Sequence, residues 1–180
     1  MSKLAELYDR QGQSPWLDDL RRDWLADGTL ARWVERGVRG VTSNPSIFQK
    51  AMAAGTAYDD QFAALTKDGC SAVRSYWAMA TTDVADALDL LAPLHQESGG
   101  ADGFVSLELA PDLAHDTEGS VDAARRFHTD IARPNLLVKI PATDEGVPAV
   151  QRMIAQGSSI NITPGWPHRP RPAWPVRVVR

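Results

Sequence analysis

The stretch "NLLVKIPATDEG", Asn135 to Gly146, sets Lys139 inside an otherwise apolar run. An unpaired buried ammonium is costly, so such a lysine either reaches water at an edge or is kept for chemistry. Four other short apolar runs carry a polar residue in or near their C-terminal half. These are Asp18 in "PWLDD", Asn44 in "RGVTSNPSIF", Glu108 in "FVSLELA", and Asn161 with Thr163 in "SSINIT". The chemistry open to a buried lysine is imine formation with a carbonyl compound, for which the amine must be neutral. An apolar setting favours a neutral amine, and an ionised carboxylate beside it opposes that. Glu108 is compatible with the chemistry if it works through a water as an acid/base relay.

Each residue also has a structural reading. Asn44 before Pro45 suits a helix N-cap. Asp18 suits a cap or strand end, Asn161 and Thr163 suit strand-end hydrogen bonding, and Glu108 suits a structural ion pair. Glu108 lies between Leu107 and Leu109, and Lys139 between Val138 and Ile140. If their alternation points both inward, they meet. A buried ion pair adds little net stability, which makes chemistry the better reason to keep it.

The elements that must hold these residues alternate in type. Strands are expected at 15–19, 39–44, 104–110, 135–141 and 158–163. Helices are expected from "TLARWVERG", from Pro45 onward, over 57–95 with a break near "KDGCS", over 120–131, and in "VPAVQRMIA". In the long helical region Val84, Leu88 and Leu91 form part of an apolar stripe. A βα repeat implies an α/β fold with a parallel sheet buried on both faces. No G-x-G-x-x-G or P-loop follows the first strand, which weakens a dinucleotide-binding reading. Polar residues at successive strand ends favour a (β/α) barrel, whose site lies at the C-terminal ends of its strands.

At 180 residues and 43% hydrophobic, the chain suffices for one substantial core. A net charge of −4 gives no basic footprint for nucleic acid or an anionic membrane. "MSKLAELYDRQGQ" lacks a signal-peptide core and no run of 18 apolar residues occurs, so a cytoplasmic protein without a membrane partner is expected. Cys70 stands alone, and His95, His115, His128 and His168 lack metal-site spacing, so neither a disulfide nor a metal is expected.

"GVTSNPSIF" and "LLVKIPATDEG" resemble the two signature segments of the transaldolase family. The resemblance extends to "WLDDL", "VSLELAPDLAHDT" and "INIT", covering Leu4 to Thr163, and it is nearest to the subgroup whose first strand reads WLDD. It implies a TIM (β/α)8 barrel, of which residues 1–163 would be about the first five βα units. It also implies a Schiff-base enzyme of the pentose phosphate pathway that transfers a dihydroxyacetone unit between sugar phosphates without a cofactor. Lys139 would form the imine, and Asp18 would take the C4 hydroxyl proton. Glu108 and Thr163 would hold the catalytic water, and Asn44 and Asn161 would bind the retained three-carbon unit. A Schiff-base aldolase of the same superfamily is the alternative within this chemistry. Ser43 stands where the family often has a threonine.

The family pattern stops at Thr163. Residues 164–180, "PGWPHRPRPAWPVRVVR", hold five prolines, two tryptophans and four arginines with no acid. Taking those four from the 19 basic residues leaves 15 against 23 acids in residues 1–163, a net charge of −8. This composition leads us to expect a truncated barrel of low activity, lacking the later strands and their phosphate-binding residues, followed by a disordered, frame-shifted tail. An inactive fragment whose basic tail binds RNA or a protein partner is the reading of a different class. Oligomeric state is open.

Overall fold

The computed structural model describes residues 2–164; the expected tail lies outside them, apart from Pro164. The chain divides into two compact units, residues up to Val105 and residues from Ser106 on.

The first unit begins with α1 (Lys3–Gln11), capped by the side chain of Ser2, which accepts from the Ala5 amide. Then come β1 (Trp16–Leu17), α2 (Arg22–Ala26), α3 (Thr29–Glu35), β2 (Gly40–Thr42), α4 (Pro45–Ala53), α5 (Asp59–Lys67) and α6 (Ala72–Glu97). β1 and β2 pair in parallel, with Trp16 opposite Gly40 and Leu17 opposite Val41. The Trp16 ring lies directly on Gly40, where an added β-carbon would sit 2.3 Å from its Cε2. A glycine is required there by space rather than by backbone angle. α2 and α3 pack against α6, as does α5. Val84, Leu88 and Leu91 of α6 are fully buried, as their helical spacing predicts.

β3 (Phe104–Glu108) opens at the end of the first unit and continues into the second. The second unit adds a 3₁₀ turn at Pro111–His115, α7 (Thr117–Ile131), β4 (Leu136–Pro141), α8 (Gly146–Ala155) and β5 (Ile160–Thr163). Here β3, β4 and β5 are neighbours in that order, and β4 runs parallel to β5. α7 packs on β4 and α8, and α8 packs on β4 and β5. Strands laid down in sequence order by right-handed crossovers keep their helices on one face, whereas a doubly wound sheet must reverse direction. The contact of α7 with α8 follows from this. α8 starts at Gly146, whose N–H donates to Thr143 Oγ1 at 2.9 Å. A β-carbon on Gly146 would lie 1.9 Å from the Pro141 carbonyl oxygen.

Both units therefore have the α/β character expected, with parallel pairing. Boundaries shift in instructive ways. The first strand covers two residues rather than 15–19, since Pro15 contributes only its carbonyl, to the Arg39 amide at 2.8 Å. The second strand ends at Thr42 because Asn44 already caps α4. The third ends at Glu108, short of residue 110, and the fifth begins at Ile160 rather than 158. α7 starts at Thr117, three residues early, because Asp116 accepts from Gly119 N and supplies the cap. Among the described residues no helix is long and apolar enough to cross a membrane.

Candidate functional site

The second unit brings four of the expected residues onto one face. Lys139 is the direct register partner of Asn161, and Pro141 of Thr163, so all four side chains share a side of the sheet. Glu108 ends β3, and its Oε2 lies 3.2 Å from Lys139 Nζ, with side-chain exposures of 22% and 15%. The sequence-based condition that both point inward is met. Val138 and Ile140, on the opposite side of β4, are fully buried. Lys139 has its backbone fixed as well, since its carbonyl accepts from the Leu109 amide at 3.1 Å.

This face is concave. Neighbouring strands stand about 4.8 Å apart, so two strands flanking a third are roughly 9–10 Å apart when flat. Yet Asn161 Nδ2 on β5 donates to Ser106 Oγ on β3 at 3.0 Å, across β4. Only a sheet curling inward allows that bond, as an arc of barrel does. Thr163 Oγ1 is buried and has no partner among the described residues. A buried hydroxyl left unpaired is costly. At the rim, Thr143 Oγ donates to the Ala114 carbonyl and Thr117 Oγ to the Glu145 carbonyl at 2.7 Å. The His115 imidazole is 3.0 Å from the Glu145 carboxylate and holds that acid below its usual range.

In the first unit, Asp18 is exposed immediately beyond β1. Asn44 lies two residues beyond β2, and its Oδ1 accepts from the Ile47 amide at 3.1 Å. The capping role read from the sequence is real, and it leaves the Asn44 amide nitrogen for other bonding. Two features here escaped the sequence reading. Thr42 Oγ1, on the last residue of β2, is a second buried hydroxyl without a partner among the described residues. Beyond Asp18, the Asp83 side chain is completely buried and takes Arg22 Nε and the Tyr58 hydroxyl, each at 2.7 Å. Tyr58 in turn accepts from the Arg22 amide at 3.2 Å, and the Arg22 guanidinium stacks 4.4 Å from the Tyr58 ring centre. Burial pushes the Asp83 acid up, against the opposing pull of Tyr58 and Arg22, and burial also pushes the Tyr58 phenol up. The network ties the segment after β1 to α6. Asp83 falls on the apolar stripe of its helix, and that misplacement was the available signal.

The parallel strands with their covering helices, and a lysine–carboxylate pair near the C-terminal ends of β3 and β4, define the class: a (β/α)-type protein. The family described as transaldolase/fructose-6-phosphate aldolase matches residues 15–164. The chain belongs to this family. It is 52% identical over 161 residues to a transaldolase of Thiobacillus denitrificans, covering 89% of this chain and 45% of that protein. It is 47% identical over 152 residues to a transaldolase of Neisseria gonorrhoeae, covering 84% and 43%. A "Transaldolase 2" of Nostoc punctiforme is 43% identical over 153 residues, covering 84% and 40%. The chain thus spans less than half the length of these relatives.

Proposed function

We propose that this chain carries the nucleophile half of a transaldolase site, acting on ketose phosphates such as fructose 6-phosphate. The observation that carries the reading is the Lys139–Glu108 pair on the concave face. Lys139 Nζ adds to the C2 carbonyl, and loss of water gives the imine. Asp18 takes the C4 hydroxyl proton as the C3–C4 bond breaks, which releases glyceraldehyde 3-phosphate, and the electron pair of that bond passes towards the iminium nitrogen, leaving an enamine on Lys139. Glu108 and Thr163 hold the water that shuttles protons, and Asn44 and Asn161 bind the retained dihydroxyacetone unit. Transfer of that unit to erythrose 4-phosphate gives sedoheptulose 7-phosphate. The family description also includes fructose-6-phosphate aldolase, in which case release of dihydroxyacetone would replace transfer; the names of the relatives favour transfer.

Borohydride reduction of the full chain with fructose 6-phosphate, followed by peptide mass spectrometry, tests the first step. An adduct on the peptide containing Lys139, absent from Lys139→Ala, is expected. A folded sample with no adduct overturns the reading. Adding erythrose 4-phosphate and assaying for a seven-carbon product separates transfer from simple cleavage.

A further inference from the structure

Ser106 has no role in the chemistry above, yet it is a fully buried hydroxyl in the run Phe104–Glu108, between Val105 and Leu107. Alanine would fill such a position at no polar cost, whereas a buried hydroxyl must be hydrogen-bonded to avoid a penalty. Ser106 accepts from Asn161 Nδ2 at 3.0 Å. It stands two residues before Glu108, so both side chains project from the same face of β3 as the lysine's partner. Asn161 is the strand partner of Lys139, so the amide held by Ser106 borders the nucleophile.

We infer that Ser106 is a positioning residue that fixes the orientation of the Asn161 amide. An asparagine amide is nearly symmetric in shape but not in function: one end donates and the other accepts. With one Nδ2 proton given to Ser106, the amide is held in one orientation, and its Oδ1 end faces away from Ser106 as an acceptor. Beside Lys139 the fixed Oδ1 then receives a ligand group that can donate, such as a hydroxyl of a polyhydroxy ketone. This rests on the proposed ligand chemistry of the Lys139 face, while the Ser106–Asn161 bond itself can be tested without it.

The chain has three asparagines, Asn44, Asn135 and Asn161, so labelling asparagine side chains with nitrogen-15 gives three resolvable amide pairs. Slow solvent exchange of one Asn161 Nδ2 proton is expected, with several-fold faster exchange in Ser106→Ala, recovery in Ser106→Thr, and no change at Asn44. Exchange at Asn161 in the unaltered chain as fast as in free asparagine overturns the inference, whatever the behaviour of the variants.

The second arm measures the dihydroxyacetone concentration for half-maximal borohydride trapping at Lys139. About a tenfold rise in Ser106→Ala is expected, with the trapping rate at saturation little changed and Ser106→Thr near the unaltered chain. Asn161→Ala combined with Ser106→Ala should be no worse than Asn161→Ala alone. An unchanged half-saturation in Ser106→Ala, or additive losses in the double variant, overturns the inference. If the unaltered chain traps nothing, the proposed function fails and the exchange arm still decides whether Ser106 holds Asn161.

Discussion

Replacing Arg22 with alanine isolates the energetic role of the buried network beyond Asp18. Asp83 has no exposed side-chain surface, and Arg22 supplies its charge partner at 2.7 Å. Removing one member of a buried ion pair costs about 3–5 kcal/mol, because the remaining charge keeps its desolvation penalty. Loss of the guanidinium from the Tyr58 face adds about 0.5–2 kcal/mol. Tyr58→Phe removes two hydrogen bonds, the one the phenol gives to Asp83 and the one it takes from the Arg22 amide, while leaving the ion pair, at about 1–3 kcal/mol. Against a typical domain stability of about 5–15 kcal/mol, the arginine variant should be close to unfolding and the phenylalanine variant should not. Urea unfolding of the full chain, followed by tryptophan fluorescence, should give midpoints in the order unaltered, Tyr58→Phe, Arg22→Ala at similar slope.

The pH dependence has a defined sign. Asp83 has a folded pKa above its ordinary 3.8, with burial the leading cause. Its contribution to stability is therefore complete below the unfolded value and is lost as pH rises through the folded one. Without Arg22, which pulls the acid down, the loss should start at the same pH but extend to higher pH and be larger. An apolar pair, Arg22→Met with Asp83→Leu, should recover most of the deficit, since replacing both members removes the desolvation cost. Arg22→Ala costing under about 1 kcal/mol, or less than Tyr58→Phe, would refute the assignment of the network as an ion pair that anchors this segment.

Two further predictions concern the ends of the site's helices. Asn44→Ala should cost about 1 kcal/mol through loss of the α4 cap, whereas Asn44→Asp, which keeps the accepting oxygen, should retain that stability in the same urea titration. His128 on α7 has Nε2 buried without a partner among the described residues, and burial depresses its imidazole below the usual 6.5. The fold thus holds the neutral ring: its contribution should be full above pH 6.5 and decline as pH falls towards the depressed folded value, by at most about 1.4 kcal/mol per pH unit. Equal unfolding midpoints at pH 7.5 and 5.5, relative to His128→Gln, would contradict this.

Much of the arrangement could be read from residue types. The runs around Val41, Leu107, Val138 and Ile160 read as strands because short, near-continuous apolar sequence suits a buried parallel sheet, and these four residues are buried. Glu108 and Lys139 were legible because a charge in such a run is conspicuous. Ser106 was not, since a serine in a strand is common and its importance lies in a partner 55 residues away. α2 went unread for the same reason: five residues cannot show a helical period, and its anchor, Arg22, depends on Asp83 in α6. α1 had local signals, the Ser2 cap and the left-handed Gly12 at its end, but its hydrophobic stripe is short and none of its residues is fully buried.

The register of β4 has a consequence for how this chain tolerates change. With Lys139 opposite Asn161 and Val138 opposite Ile160, the face that Lys139 occupies is set by parity along the strand. One residue inserted or deleted within β4 turns Lys139 towards the helices and an aliphatic side chain towards Glu108. Two residues would restore the facing, although displaced by one strand step. Variation in length should therefore gather in the turns at 132–135 and 142–145, where no alternation has to be kept, and be absent from the six residues between them.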